Sequence, residues 1–428
     1  MVNHKKLSMA VAGACALFGA SAANAVGPVK VGDWDLSFGG FVNGFYTYTH
    51  CDNNNNSVAA GLACTTSNQK SSSAIQSGLL PSALVFGAKT TQEGFDIGVT
   101  IGFYPGINIA GGPAGLGTST INMRQNFLTF GDKEMGTIKV GRDLGLFGSD
   151  AILNDITLLG VGSTFTPASP GNTTLGRIGV GYIYADWIPQ ITYISTGHMG
   201  GIGGLQGSIG IFQPLNTVNF AGCNPTSGNC APPPTPITGV GFSASLTAHQ
   251  VPGVQGKLTY DYDVSGVSGR AWAGFFYQKV DSFAVAGPQG STAYAGDVGI
   301  KANVAGWETV LYGYQGRGVG TTALLFDGVD IAGNKRNSNG GYAQLAYRMG
   351  KWKPGISYGV SRLAMSAGES TATVPTLVNF NRSAVAQLQY SLTKALTLLG
   401  EYTMTRSSPQ LGPKNVESSF ALGAILFF

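Results

Sequence analysis

The feature that most constrains this chain is a period-two alternation of apolar and polar residues, which recurs about sixteen times after residue 33. In one such stretch Tyr294, Val298 and Ile300 share a face, while Asp297 and Lys301 share the other. Successive side chains of a β-strand point to opposite faces, so each stretch predicts a strand with one apolar and one polar face. The predicted strands begin near Trp34, Ser82, Phe95, Thr120, Thr137, Gln190, Leu205, Val254, Gly269, Ser291, Trp307, Gly340, Lys351, Asn381, Leu396 and Asn415.

The connections between these strands alternate between short and long. Short turns occur at Asp132–Gly136, Ala305–Gly306, Gly350 and Thr393–Ala395. Long polar loops occur near residues 51–78, 144–187, 214–238, 317–339 and 364–380. Short turns at one end of a sheet and long loops at the other are typical of outer-membrane barrels, and a soluble sandwich gives no reason for them.

Composition supports a sheet with its apolar face outward. Charged residues make up only 11% of the 428 residues, against roughly 25% in soluble domains. After residue 25 no run approaches the roughly 18 apolar residues of a membrane-spanning helix. In lipid a sheet must close so that every backbone group is paired, and about sixteen strands leave a water-filled lumen. The sequence therefore predicts an all-β fold, a transmembrane antiparallel β-barrel of sixteen strands.

The first 25 residues are predicted to be a cleaved secretory signal peptide. Lys5 and Lys6 precede a short apolar core, and Ala23-Asn24-Ala25 forms a small-residue cleavage site. The core is too short for an anchoring helix, and the residues before Cys15 match a lipoprotein signal poorly. We therefore expect residues 26–428 to form the barrel.

The cysteines after the signal form two close pairs in polar, turn-rich stretches, Cys51 with Cys64 and Cys223 with Cys230. In an oxidising compartment such pairs favour two local disulfides. Zinc binding is the alternative, but neither spacing matches a usual ligand pattern and no histidine lies inside either pair.

Two stretches resemble the Gram-negative general porin family. One is the C-terminal run from Phe420 to Phe428, which ends in phenylalanine, and the other is the hairpin from Phe127 to Arg142. The resemblance implies an outer-membrane homotrimer that forms a water-filled channel for passive diffusion of small hydrophilic solutes and ions. It also implies contact with outer-membrane lipid and lipopolysaccharide, and recognition of Phe428 by the barrel-assembly machinery. The chain lacks the Pro-Glu-Phe-Gly-Gly-like stretch common in the family's third loop.

The resemblance further implies that the loop at about residues 144–187 folds into the pore as a constriction. Asp143, Asp150 and Asp155 are its candidate carboxylates. The candidate cations that face the lumen are Arg124, Lys139, Lys257, Arg270, Lys301 and Arg348. Carboxylates opposite cations would set a field across the pore that penalises apolar solutes. The alternative is that each charge is merely a solvated lumen residue. We expect the strongest effect from Arg124, with Asn122 and Asn126 on its face.

Other classes of function have little support in the sequence. The histidines after the signal, His50, His198 and His249, lie outside the clear strands, and no Gly-x-Ser-x-Gly elbow occurs. The 25 cations nearly match the 21 anions, which disfavours nucleic-acid binding. We expect no catalytic residue, no metal site and no cofactor. A substrate-specific channel for sugar or anion uptake stays open, with Trp272, Phe276, Tyr312 and Tyr314 as possible stacking surfaces.

Overall fold

The described part of the chain consists almost entirely of β-strands. In the computed structural model it comprises residues 26–52, 58–64, 70–107, 121–164, 173–219, 249–281, 290–330 and 332–428. Its eighteen strands are β1 (Val26–Val31), β2 (Trp34–Cys51), β3 (Ser71–Gln76), β4 (Ala83–Gln92), β5 (Phe95–Pro105), β6 (Ile121–Asp132), β7 (Gly136–Leu144), β8 (Trp187–Ile194), β9 (Leu205–Phe212), β10 (Gly253–Val264), β11 (Val267–Val280), β12 (Ser291–Val304), β13 (Trp307–Arg317), β14 (Asn337–Tyr347), β15 (Trp352–Leu363), β16 (Val378–Ser391), β17 (Leu396–Pro409) and β18 (Asn415–Phe427).

Two of the sequence predictions lie outside these residues, namely the signal peptide at 1–25 and the pair Cys223 and Cys230. Among the described residues no helix has the length and apolar character needed to cross a membrane.

The eighteen strands occupy sixteen positions around a closed sheet, because two positions are each filled by two short strands. β3 pairs with residues 45–50 of β2, and β4 continues along the same edge at residues 35–41. On the other edge of β2, β18 pairs with residues 41–51 and β1 with residues 34–38. All pairings between strands are antiparallel, and β9 with β10 and β18 with β2 close the ring. The predicted sixteen-stranded antiparallel barrel is confirmed.

Each predicted strand start corresponds to one barrel position and lies within three residues of the observed start. Seven starts coincide, and the largest difference is three residues, at β8, β14 and β16. The sequence did not reveal β1 and β3. β3 has the sequence SSSAIQ, which is too short and too polar to alternate visibly.

The sheet carries its apolar side chains on the outside. On β12, Val298 is 62% exposed, whereas the adjacent Asp297 is 8% exposed. The aromatic pairs Trp307–Tyr347 and Trp352–Tyr390, with ring centroids 4.7 and 4.4 Å apart, lie at the short-turn ends of their strands. Aromatic girdles at this level mark the border between lipid and headgroups in membrane barrels.

The hairpin between β6 and β7 shows why its glycines matter. The Asp132 carboxylate accepts hydrogen bonds from the backbone N–H groups of Glu134 and Met135 and so closes the turn. Gly136 has a φ of +84°, a backbone conformation that residues other than glycine rarely adopt. A Cβ on Gly131 would lie 2.0 Å from the carbonyl oxygen of Gly136. Both glycines are therefore needed for the turn that leads into β7.

The chain ends close the barrel at the short-turn end. The backbone N–H of Phe428 donates to the carbonyl of Gly40, and the N–H of Gly40 donates back to the carbonyl of Phe428. The Phe428 ring lies 6.0 Å from that of Phe38. The terminal phenylalanine thus continues the ladder between β18 and β2.

Candidate functional site

The connection between β7 and β8 folds into the interior of the barrel. Its described parts, residues 145–164 and 173–186, are called the inserted segment below. The segment contains one short helix, α1 (Ser149–Leu153), and one 3₁₀ turn (Ile156–Leu159). Phe147, Val161 and Ile183 in it have no exposed surface, or almost none. The described parts of the loop therefore lie inside the barrel, as the predicted inserted loop requires.

Polar side chains of the barrel wall hold the backbone of this segment. Gln255 on β10 accepts the N–H groups of Leu146 and Phe147 through one oxygen, at 2.8 and 3.0 Å. The other wall acceptors for segment N–H groups are Asp297, Gln344, Ser361 and Glu401. A buried backbone N–H without a partner is costly, so these side chains replace the water that an open loop would bind.

Aromatic side chains fill the space between the segment and the wall. Trp272, Phe276, Tyr312 and Tyr314 face inward, and each is at most 6% exposed. The ring of Phe147 lies 6.2 Å from that of Phe276. These aromatics therefore pack the inserted segment and offer little surface on which a solute could stack.

A cluster of four charges joins α1 to the wall. Asp150 lies 2.6 Å from Nζ of Lys257 on β10 and 3.3 Å from Nη1 of Arg270 on β11. Arg270 also forms a two-pronged contact with Asp261, at 2.6 and 2.7 Å. Burial raises the pKa of Asp150, but Lys257 and Arg270 outweigh this effect and hold the pKa below its usual value. Asp150 is thus a buried carboxylate balanced by two wall cations.

A second charged group lies on β12, β13 and β15 of the same wall. Glu308 on β13 lies 3.2 Å from Nζ of Lys301 on β12 and 3.0 Å from Nζ of Lys353 on β15. Lys301 stands directly opposite Arg270 in the sheet register. The two groups together therefore form a charged arc from β10 to β15.

The other two candidate aspartates make their contacts elsewhere, Asp143 within the wall and Asp155 within the inserted segment. Asp143 at the end of β7 forms a buried ion pair with Lys139 and also accepts from Gln125 at 3.3 Å. Asp155 caps the 3₁₀ turn through the N–H of Thr157 and accepts from the Tyr182 hydroxyl at 2.8 Å. Burial, followed by the Asp155 charge, raises the pKa of that hydroxyl.

The sequence profile described as Gram-negative porin matches residues 10–410. The chain belongs to the Gram-negative porin family. This porin is therefore an outer-membrane channel for passive diffusion.

Solved structures share the barrel of this porin at low sequence identity. The outer-membrane channel DcaP of Acinetobacter baumannii matches with a TM-score of 0.63 and 16% identity over 94% of this chain and 100% of that chain. The Salmonella typhi OmpF complex with daunomycin matches with a TM-score of 0.57 and 14% identity over 94% of this chain and 100% of that chain. An anion-selective porin from Comamonas acidovorans matches with a TM-score of 0.56 and 14% identity over 92% of this chain and 100% of that chain. No curated protein matches the sequence significantly.

Arg124 of the porin faces inward but is only 8% exposed. Its guanidinium carbon lies 5.3 Å from the Tyr104 ring centre and 5.9 Å from that of Trp187. A bulge opposite Gly102 and Phe103 adds one residue to β6 at this point. The bulge reverses the alternation, so Asn126 points outward and the expectation that it shares the Arg124 face is wrong. The effect of Arg124 on selectivity stays a prediction.

The charged arc contains three of the six predicted lumen cations. The structure brings Lys257, Arg270 and Lys301 together there, and it places Lys139 in the separate pair with Asp143. Arg348 lies just beyond β14, exposed at the short-turn end and away from the inserted segment. Sequence reasoning missed Glu308 and Lys353, although alternation from Trp307 would have placed Glu308 on the inner face.

One predicted disulfide is present, and it anchors a second inward-folded stretch. Cys51 at the end of β2 is bonded to Cys64. The N–H of Cys64 donates to Glu417 on β18 at 2.8 Å, and the N–H of Leu62 donates to Ser407 on β17 at 2.8 Å. Residues 58–64 are therefore fixed to the inner wall near the long-loop end of this porin.

Proposed function

We propose that this porin is a general diffusion channel for small hydrophilic solutes and ions, with its narrowest part between the inserted segment and the charged arc. The observation that carries the proposal is the contact of Asp150 with Lys257 and Arg270, which fixes the segment across the lumen at a charged wall. Solutes would then be selected by size at the segment and by the wall charges beside it.

The charges that a passing solute meets are not arranged as carboxylates on one side of the pore opposite cations on the other. Asp150 is 3% exposed and touches its cations, whereas the Arg270 and Asp261 side chains are 39% and 54% exposed. Asp150, which ties the segment to the wall, is thus shielded from solutes, and the exposed Arg270–Asp261 pair lies beside the proposed solute path. Because opposite charges alternate along the arc, we expect weak ion selectivity.

A substrate-specific anion channel is the second candidate. It is favoured by four cations on the wall between β10 and β15, Lys257, Arg270, Lys301 and Lys353, against three carboxylates in the same arc. One structural relative is described as anion-selective, although its 14% identity supports the fold alone. The buried positions of Trp272 and Tyr312 give no comparable support to a sugar track.

Conductance and reversal potential across a salt gradient, each with and without candidate solutes, distinguish these functions. General diffusion predicts a reversal potential close to zero and no saturable block by phosphate, small dicarboxylates or sugars at millimolar concentration. Saturable block by one anion class, together with a strongly anion-selective reversal potential, would replace the first proposal by the second.

The proposal also includes features that accompany such channels. We propose that the porin assembles as a homotrimer, that it contacts outer-membrane lipid including lipopolysaccharide, and that the assembly machinery recognises Phe428. It includes no catalytic role. Cross-linking of the detergent-extracted protein tests the trimer, and deletion of Phe428 tests recognition through the yield of folded barrel.

A further inference from the structure

Three arginines lie on the outer surface of neighbouring strands near the long-loop end of the barrel. They are Arg362 on β15, Arg382 on β16 and Arg406 on β17, called the arginine triad below. Arg382 stands directly opposite Arg406 in the sheet register, and Arg362 stands opposite Phe380. The guanidinium carbons of Arg362 and Arg382 lie 5.5 and 5.9 Å from the Phe380 ring centre. Two of the three cations thus flank one aromatic ring, and the third stands opposite Arg382 in the sheet.

The protein supplies no anion for this cluster within its described residues. None of the ion pairs found there involves a member of the triad. Nε of Arg382 is buried and has no hydrogen-bond partner in that part of the chain. Like charges directly opposite each other in a sheet repel, and a buried donor without a partner is costly. The described residues therefore leave the triad without a negatively charged hydrogen-bond acceptor.

The depth of the triad in the membrane identifies the source of that acceptor. Arg382 and Tyr390 lie eight positions apart on the outer face of β16, and Tyr390 packs on Trp352 at the short-turn girdle. Eight residues span about 26 Å along a strand, or roughly 20 Å across the membrane at a tilt of about 40°. The triad therefore lies at the opposite border of the apolar band. Long loops mark the external side, so this border faces the outer leaflet.

We propose that the arginine triad binds the phosphate group of an anionic lipid headgroup in the outer leaflet. A phosphate accepts paired hydrogen bonds from the planar guanidinium, and one phosphate can be shared by several arginines. Sharing it would remove the repulsion between Arg382 and Arg406 and provide an acceptor for the buried Nε. The long arginine side chains can reach headgroups while their stems stay beside apolar surface.

The test measures binding of bisphosphorylated lipid A to the folded protein in detergent micelles, by native mass spectrometry. We expect lipid A to bind at least about tenfold more tightly than its chemically dephosphorylated form, because charge-assisted hydrogen bonds are lost. We expect R362Q/R382Q/R406Q to weaken binding of lipid A by about tenfold or more for the same reason. R362K/R382K/R406K keeps the charge but loses the paired hydrogen-bond geometry, and it should weaken binding of lipid A by roughly a few-fold.

A control of equal charge removes three exposed cations from the opposite end of the barrel, as K133Q/K351Q/K394Q. This control should bind lipid A as the unaltered protein does. Equal affinity of the arginine triple variant and the control would overturn the proposal. So would equal binding of dephosphorylated lipid A by the unaltered protein, a result that needs no variant to fold. Displacement of lipid A by inorganic phosphate at the same concentration would also overturn it, in favour of a free-anion site.

Discussion

A carboxylate oxygen of Asp150, in the short helix of the inserted segment, lies 2.6 Å from Nζ of Lys257 on the barrel wall. Its other oxygen lies 3.3 Å from Arg270 on the next strand. One nearly buried side chain therefore balances two wall cations and also ties the segment to the wall. Neutralising a buried carboxylate in such a cluster leaves the cations unbalanced.

Replacing Asp150 by asparagine should shift selectivity toward anions. The change removes one negative charge beside Lys257 and Arg270, and it adds a net positive charge at the proposed constriction. The reversal potential across a tenfold salt gradient measures the shift. Glu134→Gln is the matched control, since Glu134 is an exposed acid in the β6–β7 turn. Identical reversal potentials for the two variants would remove Asp150 from the selectivity filter.

A side chain at Gly160 should loosen the inserted segment. A Cβ there would lie 2.3 Å from Oε2 of Glu401 and 2.6 Å from Nε2 of Gln387, two wall groups that hold the segment. We expect Gly160→Ala to raise single-channel conductance or its open-state noise. Gly197→Ala is the control, because a Cβ at Gly197 meets nothing within 4 Å. Indistinguishable traces for the two variants would contradict this role of the anchors.

Loss of the Cys51–Cys64 disulfide should lower the stability of the folded barrel. The bond closes a loop with a sequence separation of 13 residues, and cross-links of about 15 residues contribute about 3 kcal/mol in the chain-entropy model. The C51S/C64S variant should therefore unfold at a lower temperature in detergent, as followed by circular dichroism. A midpoint equal to that of the unaltered protein would show that the wall contacts of residues 58–64 suffice without the bond.

Acid should release the loop that follows β15. Burial raises the pKa of Glu369, but its hydrogen bonds with Arg336 outweigh burial and hold the pKa below the usual value. The stabilisation is therefore complete above the unfolded pKa of about 4.3, and it is lost as the pH falls through the lower folded value. Hydrogen exchange of residues 364–377, compared with the intrinsic exchange rate at each pH, should show strong protection at pH 6 and weak protection near pH 3.

The matched variant for this acid response is Glu369→Gln, which cannot ionise. It should show weak protection in the same loop at both pH values, whereas the inserted segment should keep its protection at pH 6. An acid response of equal size in this variant would assign the effect to another group. Asp330 is the first to consider, because it accepts hydrogen bonds from Ser366 and Asn334.

The barrel could be predicted because its strands are long and one face meets lipid. On β12 every second residue must be apolar, and the observed exposure of Val298 follows that pattern. Arg124 shows where the pattern fails, since one extra residue in β6 reverses the faces beyond it. The partners of Asp150 could not be predicted, because they lie on strands more than 100 residues away in the sequence. Alternation gives the face of a residue but not its height in the barrel.

Single-channel recording in planar lipid bilayers tests the central claim most directly. The claim is that the barrel encloses a water-filled path narrowed by the inserted segment. The purified protein should then produce discrete conductance steps that grow in proportion to salt concentration, and neutral polymers above a sharp size limit should leave these steps unchanged. A folded, membrane-inserted protein that gave no conductance steps would contradict the account.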